Sequence, residues 1–133
     1  MIDLTTLRPV ALWTGLNLAW MLALAIHVAR LRGKHHIGFG DGGEVEIQRA
    51  IRAHGNTVEY VPGLLVGFAL MALLGAPAWE IHVLGAGLLA ARVSHAVGIT
   101  TNKPATRPRQ IGIVGTWGIT LWVIYVLVRR GLF

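Results

Sequence analysis

Residues 45–74 read VEIQRAIRAHGNTVEYVPGLLVGFALMALL, and they change character halfway along. Val45 to Glu59 is amphipathic and polar, whereas Val61 to Leu74 is apolar. As one helix the segment covers ~45 Å at 1.5 Å per residue. A bilayer's hydrocarbon core is only ~30 Å thick, so the polar start can project beyond the lipid while the second half crosses it. Pro62 is placed to kink the helix where the halves meet. In the polar half, Arg49, Arg52, Asn56 and Glu59 follow one another at spacings of three, four and three. At about 100° per residue they share a sector of ~80°. Arginine or glutamate at membrane depth costs several kcal/mol unless it meets a partner or a wet cavity. The stripe therefore has to face the inside of a helix bundle or a subunit interface.

Three further apolar runs surround this one. The expected spans are 9–32, 45–74, 78–99 and 109–129, in a single domain over residues 1–133. Short connections between them describe an all-α membrane protein, a four-transmembrane-helix antiparallel bundle. The composition agrees, with 54% hydrophobic and 14% charged residues, against about a quarter charged in soluble domains. The first run is too long for the core of a signal peptide, and more spans follow it. Absence of cysteine excludes disulfides, thiolate metal sites and cysteine nucleophiles. A net charge of +6 could suggest nucleic acid, but the basic residues stand at the ends of apolar runs, so no nucleic-acid partner is expected. Arg30, Arg32, Lys34, Arg49, Arg52, Lys103, Arg107 and Arg109 lie on the side of the first and third loops, against Arg8, Arg129 and Arg130 on the other. The positive-inside rule then puts those two loops in the cytoplasm and both termini outside.

The third span adds Arg92 and His95, three apart on one face. A Glu59–Arg92 pair between adjacent antiparallel helices would neutralise two costly charges. Arg30, Arg49, Arg52, Arg92 and Arg109 gather near one boundary with few acids among them, an arrangement suited to an anion. The simpler reading is that the arginines reach up to the headgroups and His95 is a satisfied core histidine. That reading leaves Asn56 and Glu59 on the arginine face unexplained. Other signals are weaker. His35-His36 lacks further ligands, so no metal site is expected, and residues 38–43 lack the strand and lysine of a phosphate loop. The glycines at 63 and 67, and at 112, 115 and 118, read as close helix contacts. The five tryptophans read mostly as bundle or interface aromatics.

The run Arg49-Ala50-Ile51-Arg52-Ala53-His54-Gly55-Asn56-Thr57-Val58-Glu59-Tyr60-Val61-Pro62 resembles the signature of the MAPEG family, the membrane-associated proteins in eicosanoid and glutathione metabolism. Arg30-Leu31-Arg32 at the end of the first span and Arg92-Val93-Ser94-His95 on the third are similar too. The resemblance covers essentially the whole chain, whose length is similar to that of bacterial members, which suggests the inner membrane. It implies a homotrimer with glutathione held between neighbouring subunits near the cytoplasmic face. By matched position, Arg30, Arg52, Asn56, Glu59 and Tyr60 would contact glutathione, with Gln48 and Arg49 in support, and His95 and Arg92 in or beside the same site. An arginine at the start of the fourth helix would stabilise the thiolate, Arg109 first and Arg107 second. Two tyrosines found in several family enzymes are Ile99 and Ile113 here.

Three functions follow as expectations. The first is a glutathione transferase or peroxidase acting on lipophilic electrophiles, with glutathione as co-substrate, a lipophilic small molecule as second substrate and membrane lipids as surroundings. The second is a non-catalytic glutathione- or lipid-binding scaffold of the same fold. The third is a proton-coupled transporter relaying through Glu59, Arg92 and His95, disfavoured by the lack of inverted repeats.

Overall fold

The computed structural model describes residues 4–101 and 106–132, the side chain of Leu4 excepted. It contains four helices, α1 Leu4–Lys34, α2 Val45–Leu73, α3 Ala78–Thr100 and α4 Arg107–Leu132. All four are long and apolar enough to cross a bilayer. Lys103, which entered the charge argument for topology, lies outside the described residues.

Two helix starts differ from expectation. α1 begins at Leu4, and Pro9 is buried inside it. So close to the helix start, a proline forfeits only one ladder bond. α4 begins at Arg107 because Thr106 caps it: the Thr106 hydroxyl accepts from the Arg109 N–H at 3.4 Å and donates to the Gly98 carbonyl at 3.0 Å. Capping by threonine satisfies one of the free N–H groups of the first turn, and Pro108 in that turn has none to satisfy. α2 runs unbroken through Pro62, which points outward.

Between α2 and α3 the chain reverses in four residues. Gly75 sits at φ +81°, where a side chain would be strained. Its N–H bonds the Ala72 carbonyl at 3.1 Å and the Ala76 N–H bonds the Met71 carbonyl at 2.9 Å, the paired closure of a Schellman motif. Pro77 then prevents the helix from continuing.

α2 and α3 pack against each other and against both remaining helices, while α1 and α4 do not touch among the described residues. The bundle is thus a rhombus with α2 and α3 on its short diagonal. Toward the 74–77 turn the core is apolar, with Val61, Phe68, Met71, Ile81 and Leu88 buried together. Toward the first loop it is thinner: Val28 and Leu31 pack on Ile47 and Ala50. α3 and α4 approach closely through glycine. A Cβ on Gly112 would meet the Ala91 carbonyl and the His95 backbone, and one on Gly98 would meet the Arg109 backbone. Close approach of this kind is the usual service of small residues in membrane helices.

Candidate functional site

Arg92 is fully enclosed in the subunit. From the 74–77 turn it lies ~21 Å along α3, which is ~10 Å inside the opposite face of the hydrocarbon. A charge there has to be satisfied. One guanidinium nitrogen, Nη1, donates to Asn56 Oδ1 at 2.9 Å and more weakly to the Asn56 carbonyl at 3.4 Å. The other, Nη2, donates to the Gly112 carbonyl at 3.2 Å. The Tyr60 ring covers the group, with the guanidinium carbon 5.5 Å from its centroid. Trp117 Nε1 in turn donates to the Tyr60 hydroxyl at 3.2 Å. α2, α3 and α4 therefore meet around a single cation.

The expected Glu59–Arg92 pair does not form. Its place is taken by Asn56 because of the azimuth of each residue on α2. The buried line of α2 runs through Ala50, Thr57, Val61, Leu64 and Phe68. At about 100° per residue, Asn56 stands ~110° from that line and Tyr60 ~70°, at the border facing α3 and α4. Glu59 stands ~170° away and Arg52 ~150° away, and both are exposed. The stripe is thus divided. The side of it nearer α3 completes the core, and the other side faces outward. The relay through Glu59 and Arg92 is broken by the same separation.

The remaining residues of the expected site divide in the same way. Gln48 is exposed on the outward side of α2. Arg49 is half-buried and shares a polar cavity of about 370 Å³ with Glu46, His27 of α1 and Thr100 of α3. Arg30 is exposed on the side of α1 away from its buried line of Asn17, Leu24, Val28 and Leu31, so one subunit does not bring it to Arg52 and Glu59. His95 is buried one turn from Arg92, with its Nδ1 unpartnered. Neither Arg92 nor His95 reaches the outer surface, so a ligand on the α2 stripe meets Arg92 only through Asn56 and Tyr60. Arg107 and Arg109 are both exposed. Arg109 lies on the α3 side, its backbone against Gly98, while Arg107 is turned about 160° from it around α4. Ile99 packs against Leu24, Ala53 and Ala96.

Sequence reasoning overlooked three participants. Gly112 supplies a carbonyl to Arg92, Trp117 holds Tyr60, and Thr106 ties the start of α4 to α3. Only Thr106 carried a readable signal, a cap residue just before Arg107-Pro108. Below the site, a groove of about 370 Å³ descends between α2 and α4. Glu59 and Tyr60 stand at its head, and Gly63, Gly67, Leu70, Val123 and Leu127 line its length. Of the two histidines of the first loop, His35 lies 3.4 Å from Glu46 and 3.9 Å from Glu44.

The MAPEG family model matches residues 10–129, from the first helix to the last. Over 114 residues the chain is 37% identical to inner membrane protein YecN of Escherichia coli, covering 86% of each chain, and YecN from a second strain of that species gives the same values. A four-helix membrane plan, the polar stripe on α2 and a family match over nearly the full length lead to one conclusion: this chain belongs to the MAPEG family.

Proposed function

We propose that this protein binds glutathione between the subunits of a homotrimer in the bacterial inner membrane and transfers its sulfur to lipophilic electrophiles, or uses it to reduce lipophilic peroxides. The observation that carries this reading is the outward exposure of Arg52 and Glu59 on a membrane-spanning helix. Glu59 lies ~22 Å from the 74–77 turn, well within ~30 Å of hydrocarbon. A carboxylate facing lipid there would cost several kcal/mol, and a neighbouring subunit with a polar ligand removes that cost. Arg30, turned away from its own bundle, is available to a neighbour's stripe. Glutathione carries two carboxylates and one ammonium group, which suits several arginines with a single glutamate.

In this reading Arg52, Asn56 and Glu59 hold the peptide, and Gln48, Arg49, Tyr60 and His95 line or support the site. A glutathione thiol is a weak nucleophile until it is deprotonated, and a nearby guanidinium favours the anion. Arg109 fills that role better than Arg107 because it lies on the α3 side. The thiolate then attacks the electrophilic carbon, forming a C–S bond as the leaving group departs. The groove between α2 and α4 offers an apolar substrate a path from the bilayer to Glu59 and Tyr60. With the first and third loops cytoplasmic, glutathione enters from the cytoplasm.

Titration calorimetry of the purified protein with glutathione tests the root of this reading; no heat of binding would end it. A second reading, a binding-only scaffold, is favoured by Ile99 and Ile113 at positions where several family enzymes carry tyrosine. Conjugation of a generic electrophile separates the two. Turnover lost in Arg109→Ala supports the transferase, and binding without turnover supports the scaffold.

A further inference from the structure

Arg92 cannot touch a ligand on the outer face of α2, being 0% exposed. It does hold a residue that can. A guanidinium has donors and no acceptor, so the Asn56 side chain has to turn its oxygen toward Arg92, as the 2.9 Å contact records. The other edge of that amide, Nδ2, is then directed away from the core. It is not among the buried polar atoms left without a partner, and Asn56 is only half-buried, at the border of the outward stripe. The guanidinium is itself pinned from α4 by the Gly112 carbonyl at 3.2 Å and covered by Tyr60. An asparagine in water can present either edge of its amide to a ligand. Here one edge is spoken for by a cation that cannot accept. Donation from that cation also polarises the amide and strengthens its outward N–H groups.

We infer that Arg92 is a positioning residue: it locks the Asn56 amide with its NH2 group outward, so that α2 offers a donor only at this point. The ligand group that sits against Asn56 is therefore an acceptor, a carboxylate or a peptide carbonyl. The inference deepens the proposed glutathione site and rests on it for the identity of the ligand, but not for the orientation of the amide.

Asn56→Asp separates the two edges. A carboxylate still accepts from Arg92, so the melting temperature stays level or rises, while the outward donor becomes an acceptor. Glutathione binding by calorimetry falls roughly ten- to hundredfold, the size of one hydrogen bond to a charged group. Arg92→Met weakens binding roughly tenfold with Asn56 present, yet by less than about twofold in an Asn56→Ala background. Equal losses in both backgrounds would overturn the inference and leave Arg92 a packing residue. Arg92→Lys, which keeps the charge but not the planar fork, takes the same place in the cycle should Arg92→Met fail to fold. A ligand-free measurement keeps the two proposals apart. The heteronuclear NOE of the Asn56 side-chain amide, in micelles, is that of a rigid group in the wild type and of a mobile one in the Arg92 variants. Equal mobility in both sinks the positioning role. A rigid amide in a protein that binds no glutathione sinks the function and keeps the role.

Discussion

Arg92 and Glu59 lie at nearly the same level, ~21 Å and ~22 Å from the 74–77 turn, but Arg92 meets α2 at Asn56, about 60° of rotation away from Glu59. Arg92 is enclosed, with hydrogen bonds from its guanidinium to Asn56 and Gly112. Glu59 is exposed and has no ion pair within the subunit among the described residues. Each carries a charge that lipid would penalise. The first is satisfied at both terminal nitrogens by the fold of one chain, which it ties together across α2, α3 and α4, while its Nε stays buried without a partner. The second is not so satisfied. The difference separates a residue that builds the bundle from one that the bundle leaves exposed.

That distinction can be broken by experiment. The largest effect is expected from Arg92→Leu, which leaves Asn56 Oδ1 without its donor, takes from the Gly112 carbonyl one of the donors it shares with the Thr116 hydroxyl, and opens a cavity. It should cost about 2–4 kcal/mol, read from thermal unfolding in micelles; an unchanged midpoint would mean Arg92 is not a building residue. Gly112→Ala comes next. Its added Cβ meets the Ala91 carbonyl and the His95 backbone, so α3 and α4 are forced apart at a cost of about 1–3 kcal/mol. Trp117→Phe removes one hydrogen bond to Tyr60 while keeping most of the ring, which should cost about 0.5–1.5 kcal/mol in the same assay. Arg52→Ala and Glu59→Gln stand at the other end. Neither should move the stability of the dissociated subunit by more than about 0.5 kcal/mol, although both should weaken glutathione binding in calorimetry. A large loss of subunit stability in Glu59→Gln would place Glu59 with Arg92 after all.

Much of the architecture was legible in the order of residues. Long apolar runs show where a chain can cross lipid, because helix rise and bilayer thickness are both fixed lengths. Helix ends were less legible. α4 starts two residues before Arg109 because a single threonine hydroxyl bonds both its own first turn and the Gly98 carbonyl of α3, and the second bond depends on a neighbour. Periodicity also showed that Arg49, Arg52, Asn56 and Glu59 share a face. Within that face it could not say that Asn56, rather than Glu59, meets Arg92. About 60° of rotation separates the two, and the position of α3 around α2 decides between them. Gly112 entered the site through its carbonyl, a group that every residue possesses, so its identity carried no sign of this role.

By itself, then, the sequence determined four membrane spans, their antiparallel order and a polar stripe at one end of α2. These follow from properties local to each segment, namely hydrophobic length, helical period and turn residues. Only the tertiary structure decided which half of the stripe belongs to the core and which half faces outward. The lateral placement of helices arises from the fit of their surfaces, here from Gly98 and Gly112 admitting α4 close to α3. That close fit brings the Gly112 carbonyl to Arg92, and Arg92 to Asn56. A cation in so dry a place takes whichever acceptors the packing delivers.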